Sequence, residues 1–450
     1  MHLHSLKVGR RDAGLLPAAP WTKRMMGSST AHRWALTALV SLAAVGMAQA
    51  EPGDHIRAGD VTIIPSLDLG LSYRTNPLRV EADPVDGVAF DLSPRVEMSV
   101  DTSEVDFKLG GEYNLTKYFS ERLVKLDRFN QFDVDASAEL LKEQALGFRV
   151  SDAIGFRSNT SGALTGSYHS QFRNRLNGAV VVRPGATLDF SLGGFYNIDN
   201  YFVPTRDGQT ERSYNYRDSY GPTWAATWAF FPRTAFVYEG SYDISRWGAN
   251  CIATGNANQP LGATLAKPDS NSLKMQGGLR GRVTERLTVT ATGGYGVGQY
   301  DESSVASCGS INEALYAQDV SGIDHLLVTA QIQYEFGVGQ RVRLGYRKDF
   351  LDSWFTNYTA FNELYGELDG RVGSRLGMAA GARMRFEDHY GQETRTDIRL
   401  QANGDLTYFF QDYASLTTGV SWIQRATTAA QDASLEYDDV NVHLLGTFTY

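Results

Sequence analysis

The chain of 450 residues has few cysteines and no surplus of positive charge, and each shortage excludes a class of protein. Two cysteines are too few for a disulfide scaffold or for a zinc site with four thiolates. The 42 lysines and arginines are outnumbered by 51 aspartates and glutamates, which gives a net charge of −9. This balance argues against a nucleic-acid partner, because neutralising phosphates requires a basic surface.

Long apolar runs are also scarce. The one extended run, residues 34–47, follows Arg24 and Arg33 and precedes Ala48-Gln49-Ala50, a small-x-small pattern of the kind that signal peptidase cleaves. It is shorter than the roughly 20 residues that a spanning helix needs. We therefore predict a signal peptide over residues 1–50 rather than a membrane anchor, and a mature, exported chain from Glu51. Since no second long run follows, a bundle of transmembrane helices is excluded.

Beyond residue 60, polar and apolar residues alternate with a period of two. In residues 90–101 the apolar positions are Phe90, Leu92, Pro94, Val96, Met98 and Val100. The positions between them are Asp91, Ser93, Arg95, Glu97, Ser99 and Asp101. Because successive side chains of a strand point to opposite faces, this segment has one apolar face and one polar face.

The same alternation predicts eighteen strands along the chain. Their ranges are 61–74, 88–101, 105–117, 129–141, 146–157, 167–183, 187–200, 213–230, 234–246, 271–283, 287–299, 323–336, 341–350, 358–372, 376–387, 394–410, 414–425 and 437–450. Tight turns, such as residues 183–186, alternate with loops that are mostly about 8 to 25 residues long.

Two all-β architectures could give such a pattern. A soluble β-sandwich also alternates, but its strands average about five or six residues and its connections show no regular rhythm. Long strands that alternate short turns with long loops are typical of an outer-membrane barrel, in which every backbone group must find a partner away from water. We predict a transmembrane antiparallel barrel of about 18 strands over residues 61–450, with short periplasmic turns and longer extracellular loops. Residues 51–60 are predicted to be a short periplasmic segment.

The end of the chain agrees with this interpretation. The last strand alternates to Phe448 and the terminal Tyr450. This pattern resembles the signal by which the barrel-assembly machinery recognises its clients, although an ordinary last strand would also alternate. We expect that machinery and outer-membrane lipid to be partners of the chain.

The predicted lumen has charged walls of opposite sign. The acidic wall consists of Asp91, Glu97, Asp106, Glu112, Asp133, Asp135 and Glu139. The basic wall consists of Arg341, Arg343, Arg347, Arg371, Arg383, Arg385 and Arg399. In a ring of eighteen strands these walls face each other, so one hypothesis is a transverse field that orients polar solutes. The alternative is a polar wall whose charges are paired locally.

The remaining motifs do not indicate a catalytic or metal-binding site. Cys251 and Cys308 lie in the two longest loops, so we expect a disulfide between them in an oxidising compartment; two unpaired thiols are the alternative. The histidines show no metal-binding spacing and no serine stands out as a nucleophile, so we predict no catalytic residue, no metal and no cofactor. The glycine-rich residues 294–298 lie within a strand, where they predict a smooth or narrow stretch of wall rather than a phosphate loop.

The first hairpin carries a family resemblance. Residues 71–79 read LSYRTNPLR, and an acidic loop leads from them to residues 90–94, FDLSP. This sequence resembles the N-terminal part of a family of outer-membrane β-barrel porins found in exopolysaccharide gene clusters. Residues 117–119 and 127–129 are similar to the next loop of that family. The resemblance implies passage of a secreted polysaccharide, together with a periplasmic polysaccharide-export protein and an inner-membrane copolymerase.

These features are compatible with three functions. The first is an outer-membrane channel that exports a polysaccharide through a polar lumen. The alternative is a general diffusion porin for small hydrophilic solutes, which needs the same wall. The third is a surface-exposed barrel that transports nothing and binds ligands through its loops.

Overall fold

The computed structural model describes residues 55–79, 83–159, 169–204, 211–248, 251–254, 263–266, 268–301, 322–337, 339–352, 358–390, 395–428 and 436–450. The predicted signal peptide, residues 1–50, lies outside them. The strands are β1 (Ile56–Ala58), β2 (Val61–Arg74), β3 (Gly87–Asp101), β4 (Val105–Tyr118), β5 (Arg128–Leu140), β6 (Leu146–Asn159), β7 (His169–Gly185), β8 (Leu188–Pro204), β9 (Glu211–Phe231), β10 (Thr234–Trp247), β11 (Cys251–Thr254), β12 (Ala263–Ala266), β13 (Asp269–Arg282), β14 (Leu287–Asp301), β15 (Ile323–Gly337), β16 (Gln340–Asp352), β17 (Tyr358–Val372), β18 (Leu376–Tyr390), β19 (Arg395–Gln411), β20 (Ala414–Thr427) and β21 (Tyr437–Thr449).

Eighteen of these strands close into one antiparallel barrel. Strands β2 to β10 and β13 to β21 each pair with their neighbours in chain order, and β10 pairs with β13. The first and last barrel strands, β2 and β21, pair from Ser66↔Thr449 to Arg74↔Asn441, and this pairing closes the ring. The short β1 folds back on β2, and β11 with β12 forms a separate hairpin within the loop after β10. The prediction of an eighteen-stranded barrel is confirmed.

The outer surface is apolar, as the alternation requires. Large side chains such as Leu192 and Leu364 are more than half exposed on it, at 54% and 53%. In a bilayer this surface meets lipid, because a barrel faces hydrocarbon with one side of every strand. Rings gather near the short-turn end, where Phe230 contacts both Trp228 and Phe231, as expected of an interfacial aromatic girdle.

The two ends of the barrel differ. At one end the strands meet in tight turns, and two of these turns contain a glycine in the left-handed region, Gly339 at φ 68° and Gly373 at φ 66°. Glycine suits these positions because a Cβ disfavours positive φ. The described strand ends that the longer connections join lie at the other end. Among the described residues, no helix is long and apolar enough to cross a membrane.

Candidate functional site: the lumen and its inner hairpin

The wall opens between β15 and β16 on the long-loop side. Strand β16 pairs with β15 only as far as Val328↔Lys348, whereas its pairing with β17 continues to Asp352↔Tyr358. Strand β15 continues along β14 to Gly298↔Ile323. The ends of β16 and β17 therefore leave the wall together. We name residues 349–352 and 358–361 the inner hairpin.

The burial pattern shows that the inner hairpin lies inside the ring. Leu344 of β16 is outward-facing and 56% exposed, and Phe350 has the same position in the alternation but is only 2% exposed. A small apolar core forms where the hairpin meets the inward face of the wall. Its buried members are Ile323, Leu327, Phe350, Tyr358 and Ala360. The outward side of the inner hairpin thus packs against the inward side of β14 and β15.

On β14, Gly296 makes room for the inner hairpin and Gly298 makes room for Ile323 of β15, a member of the same core. A Cβ placed on Gly296 would overlap Cε1 of Phe350 and lie 2.9 Å from its Cζ. A Cβ on Gly298 would lie 2.7 Å from Cδ1 of Ile323. The glycine-rich residues that predicted a smooth or narrow wall are therefore the place where the wall accepts the inner hairpin.

Ion pairs also hold the inner hairpin to strands beyond β14 and β15. Lys274 of β13 donates to Asp349 at 2.7 Å, and its ammonium lies 4.1 Å from the centre of the Phe350 ring. Arg217 of β9 lies 3.4 Å from Asp352. Since β9 and β13 are distant from β16 in the ring, these contacts span part of the lumen.

A deeper carboxylate holds Arg217 in place. Asp199 is 1% exposed, and it accepts two hydrogen bonds from Arg175, at 2.8 and 2.9 Å, and one from Arg217 at 2.9 Å. A buried charge requires such pairing because its desolvation is otherwise uncompensated. Through Arg217, Asp199 therefore connects the inner hairpin to the part of the wall that β7, β8 and β9 form.

The first loops cover another part of the long-loop end. A small core joins the β2–β3 loop, β3, β4 and the 3-10 segment Glu121–Leu126, and its buried members are Val85, Ala89, Tyr118 and Leu123. The residues that carry the family resemblance dock beside it on Asp439 of β21, which is 2% exposed. This carboxylate pairs with Arg74 and accepts from the backbone N–H of Asn76 at 3.2 Å.

Most residues of the predicted acidic wall have basic partners. The pairs are Glu97 with Arg95 at 3.5 Å, Glu112 with Arg95 at 3.1 Å, Asp106 with Lys108 at 3.4 Å, Asp133 with Arg157 at 2.8 Å, and Glu139 with Arg149 at 3.2 Å. Asp91 instead accepts from the hydroxyls of Ser72 and Thr116. Within the described part of the chain, Asp135 has no ion pair.

The predicted basic wall is paired in the same way. The pairs are Arg341 with Asp369 at 2.7 Å, Arg343 with Glu367 at 2.6 Å, Arg347 with Asp349 at 2.5 Å, Arg383 with Glu363 at 3.7 Å, Arg385 with Glu363 at 2.7 Å, and Arg399 with Glu387 at 3.2 Å. Arg371 lies over the ring of Phe409 at 4.3 Å. The strands of the two walls lie on opposite sides of the barrel. In these ion pairs, both partners lie on the same strand or on adjacent strands. The transverse field stays a prediction.

One part of the basic wall presents arginines to water. Arg383, Arg385, Arg399 and Gln401 line a recess of about 60 Å³. Their acidic partners Glu363 and Glu387 are each 5% exposed. Because the acids are buried and the guanidinium groups face the lumen, this recess can bind a small anionic group.

A buried ionic cluster near the loop end is not evident from the sequence. Glu387, His389 and Asp397 bring ligand-type atoms within 4.8 Å of one another. Asp397 is fully buried and also pairs with Arg425 and Arg395, so its oxygens already have cationic partners. His389 and Asp397 are close because β18 and β19 are adjacent, which the alternation alone does not show.

Two predictions lie outside what the structure describes or tests. The side chain of Cys251 and all of Cys308 are outside the described residues, so the disulfide stays a prediction. Phe448 faces outward and is 51% exposed, and the backbone N–H of Tyr450 donates to Pro65. Their role in assembly stays a prediction as well.

Comparisons with known proteins give structural neighbours alone. No family model and no curated protein matches the chain. The crystal structure of OpdK from Pseudomonas aeruginosa with vanillate matches at 13% identity and a TM-score of 0.44, over 86% of this chain and 99% of that one. A BenF-like porin from Pseudomonas fluorescens Pf-5 matches at 13% identity and 0.48, over 87% and 99%. The FrpB iron transporter from Neisseria meningitidis matches at 8% identity and 0.45, over 86% and 81%.

Proposed function

We propose that this chain is an outer-membrane channel through which small hydrophilic solutes diffuse passively. An eighteen-stranded barrel is wide enough for an aqueous lumen. The observation that carries the proposal is the inner hairpin, which occupies part of that lumen and is held by Phe350 and by the Lys274–Asp349 pair. A narrowed, water-filled channel favours small solutes over a polymer.

The lumen walls would act on a solute through charge and hydrogen bonds. Paired charges keep the wall hydrated without binding any one ion strongly. The arginine recess at Arg383, Arg385 and Arg399 offers a weak contact for anionic groups. A solute must leave as readily as it enters, so weak contacts suit diffusion better than a deep site would.

Export of a polysaccharide is less well supported. It rests on the resemblance of the first hairpin, and no family model supports that resemblance. The residues concerned have a local structural use here, since Arg74 and Asn76 dock on Asp439.

The size of the permeating solute tests the proposal. We expect purified protein in liposomes to admit monosaccharides quickly and oligosaccharides progressively more slowly, in an osmotic swelling assay. Lys274→Gln removes the ammonium that contacts Asp349 and Phe350, so the size limit should rise. Lys108→Gln is the matched control, because this 64%-exposed lysine lies on the other wall.

Two outcomes would contradict the proposal. Equal entry of monosaccharides and long dextrans would show a lumen open to polymers, and would favour export. No entry of any solute, with natively folded protein, would favour the surface protein that transports nothing.

A further inference from the structure

Strand β6 carries an acidic residue on the lipid side of the barrel. Phe148 and Val150 face outward, at 37% and 49% exposed, and Asp152 is the next residue on the same face. On the neighbouring strand Leu176 is outward-facing and 42% exposed, and Asn174 shares its face. Asn174 donates through Nδ2 to Oδ1 of Asp152 at 3.0 Å.

The depth of Asp152 sets it apart. It lies halfway along β6, six residues from Leu146, which corresponds to about 15 Å along the axis of a tilted strand and to the middle of an apolar band of about 25 Å. Other carboxylates on the outward face, such as Asp388 and Asp438, lie at the loop ends of their strands. Those ends reach water, and Asp152 does not.

An acidic group at this depth is unfavourable against hydrocarbon, because its charge and its free hydrogen-bonding oxygen have no partner there. The single bond from Asn174 satisfies one oxygen of the carboxylate. A protein surface that supplies a second donor would remove the penalty. The position therefore indicates a contact with protein rather than with lipid.

Small residues lie near Asp152 on the neighbouring strands. Ala136 of β5 is its direct partner across the strands, and Ala138 lies beside it on the same face. A Cβ placed on Gly178 of β7 would meet nothing within 4 Å, so packing within this chain does not require glycine there. These small residues share the outward face with the Asp152–Asn174 pair.

We propose that the outer faces of β5, β6 and β7 form a two-fold interface with a second copy of this chain. A second copy in the same membrane presents the same pair at the same depth. Around a two-fold axis along the membrane normal, the second amide hydrogen of each Asn174 meets the free carboxylate oxygen of the other copy's Asp152. The patch is thus complementary to itself, and the partner needs no other chemistry.

Cross-linking tests the geometry directly. In a background without Cys251 and Cys308, Ala138→Cys should form a disulfide-linked dimer on mild oxidation in membranes. Ala382→Cys is the matched control, because it is an outward-facing, exposed alanine on β18, nearly opposite in the ring. Absence of the dimer with Ala138→Cys, or equal dimer with both variants, would overturn the interface.

Mass measurement in detergent tests the role of the acid. We expect the unaltered protein to be a dimer by light scattering, and Asp152→Leu to weaken self-association at least about tenfold. Asp135→Asn, on the lumen side, should leave the dimer unchanged. A monomeric or trimeric unaltered protein, or a dimer of Asp152→Leu that is equally stable, would refute the proposal.

Discussion

The docking of the inner hairpin on Gly296 can be tested with one added methyl group. In Gly296→Ala the new Cβ would lie 2.9 Å from Cζ of Phe350 and closer still to Cε1. Carbon atoms need about 3.5–4.0 Å, so the ring must move by about 1 Å or more. Phe350 is 2% exposed and belongs to a buried apolar core, so a shift of its ring must displace neighbouring side chains.

The cost of this overlap falls on docking rather than on the barrel. Overpacking of this kind costs about 1–3 kcal/mol. Because about 1.4 kcal/mol is a factor of ten in an equilibrium, the undocked fraction of the inner hairpin should rise about 5- to 150-fold. We expect single-channel recordings in planar bilayers to show a larger mean conductance and more frequent switching between levels.

The neighbouring Gly293 provides the matched control. It lies on the same strand but faces outward, and a Cβ there would meet nothing within 4 Å. Gly293→Ala should therefore leave conductance and switching unchanged. If Gly296→Ala gave natively folded channels with unaltered conductance, the hairpin would not limit the lumen. A double variant with Phe350→Ala should behave like Phe350→Ala alone, because the clash would have no second partner.

Three further changes are expected to have measurable effects. Asp199→Asn removes the buried carboxylate charge that Arg175 and Arg217 share, while Arg217 keeps its contact with Asp352. It should cost about 2–3 kcal/mol of stability, seen as a lower unfolding temperature in a heat-modifiability gel. Asp106→Asn at an exposed pair should cost about 1 kcal/mol or less. Arg399→Gln removes one positive charge from the arginine recess. The anion-to-cation permeability ratio, measured from reversal potentials, should therefore fall by up to about fivefold at low salt and by less at high salt. An unchanged ratio would show that solutes do not contact the recess. Asp439→Asn releases the contacts to Arg74 and Asn76, and we expect faster amide exchange in residues 75–79, with equal exchange contradicting the docking.

The alternation along the chain was enough to predict the barrel, because it records which medium each face of a strand meets. Leu344 faces lipid, and its neighbours in the alternation, Arg343 and Arg347, face the lumen. The strand count follows from repeating this rule, and closure follows because open edges are not tolerated in hydrocarbon. The same pattern also contains Asp152 on the apolar face, a signal that the sequence interpretation did not use.

The site itself depends on contacts that the alternation does not contain. Phe350 has the same place in the pattern as Leu344, yet one is buried inside the ring and the other faces lipid. The difference arises because β16 leaves β15 after Lys348, and this separation is stabilised by Gly296 and Lys274 from strands distant in the sequence. A period of two determines which way a side chain points from its strand. Only the folded chain determines whether that strand stays in the wall.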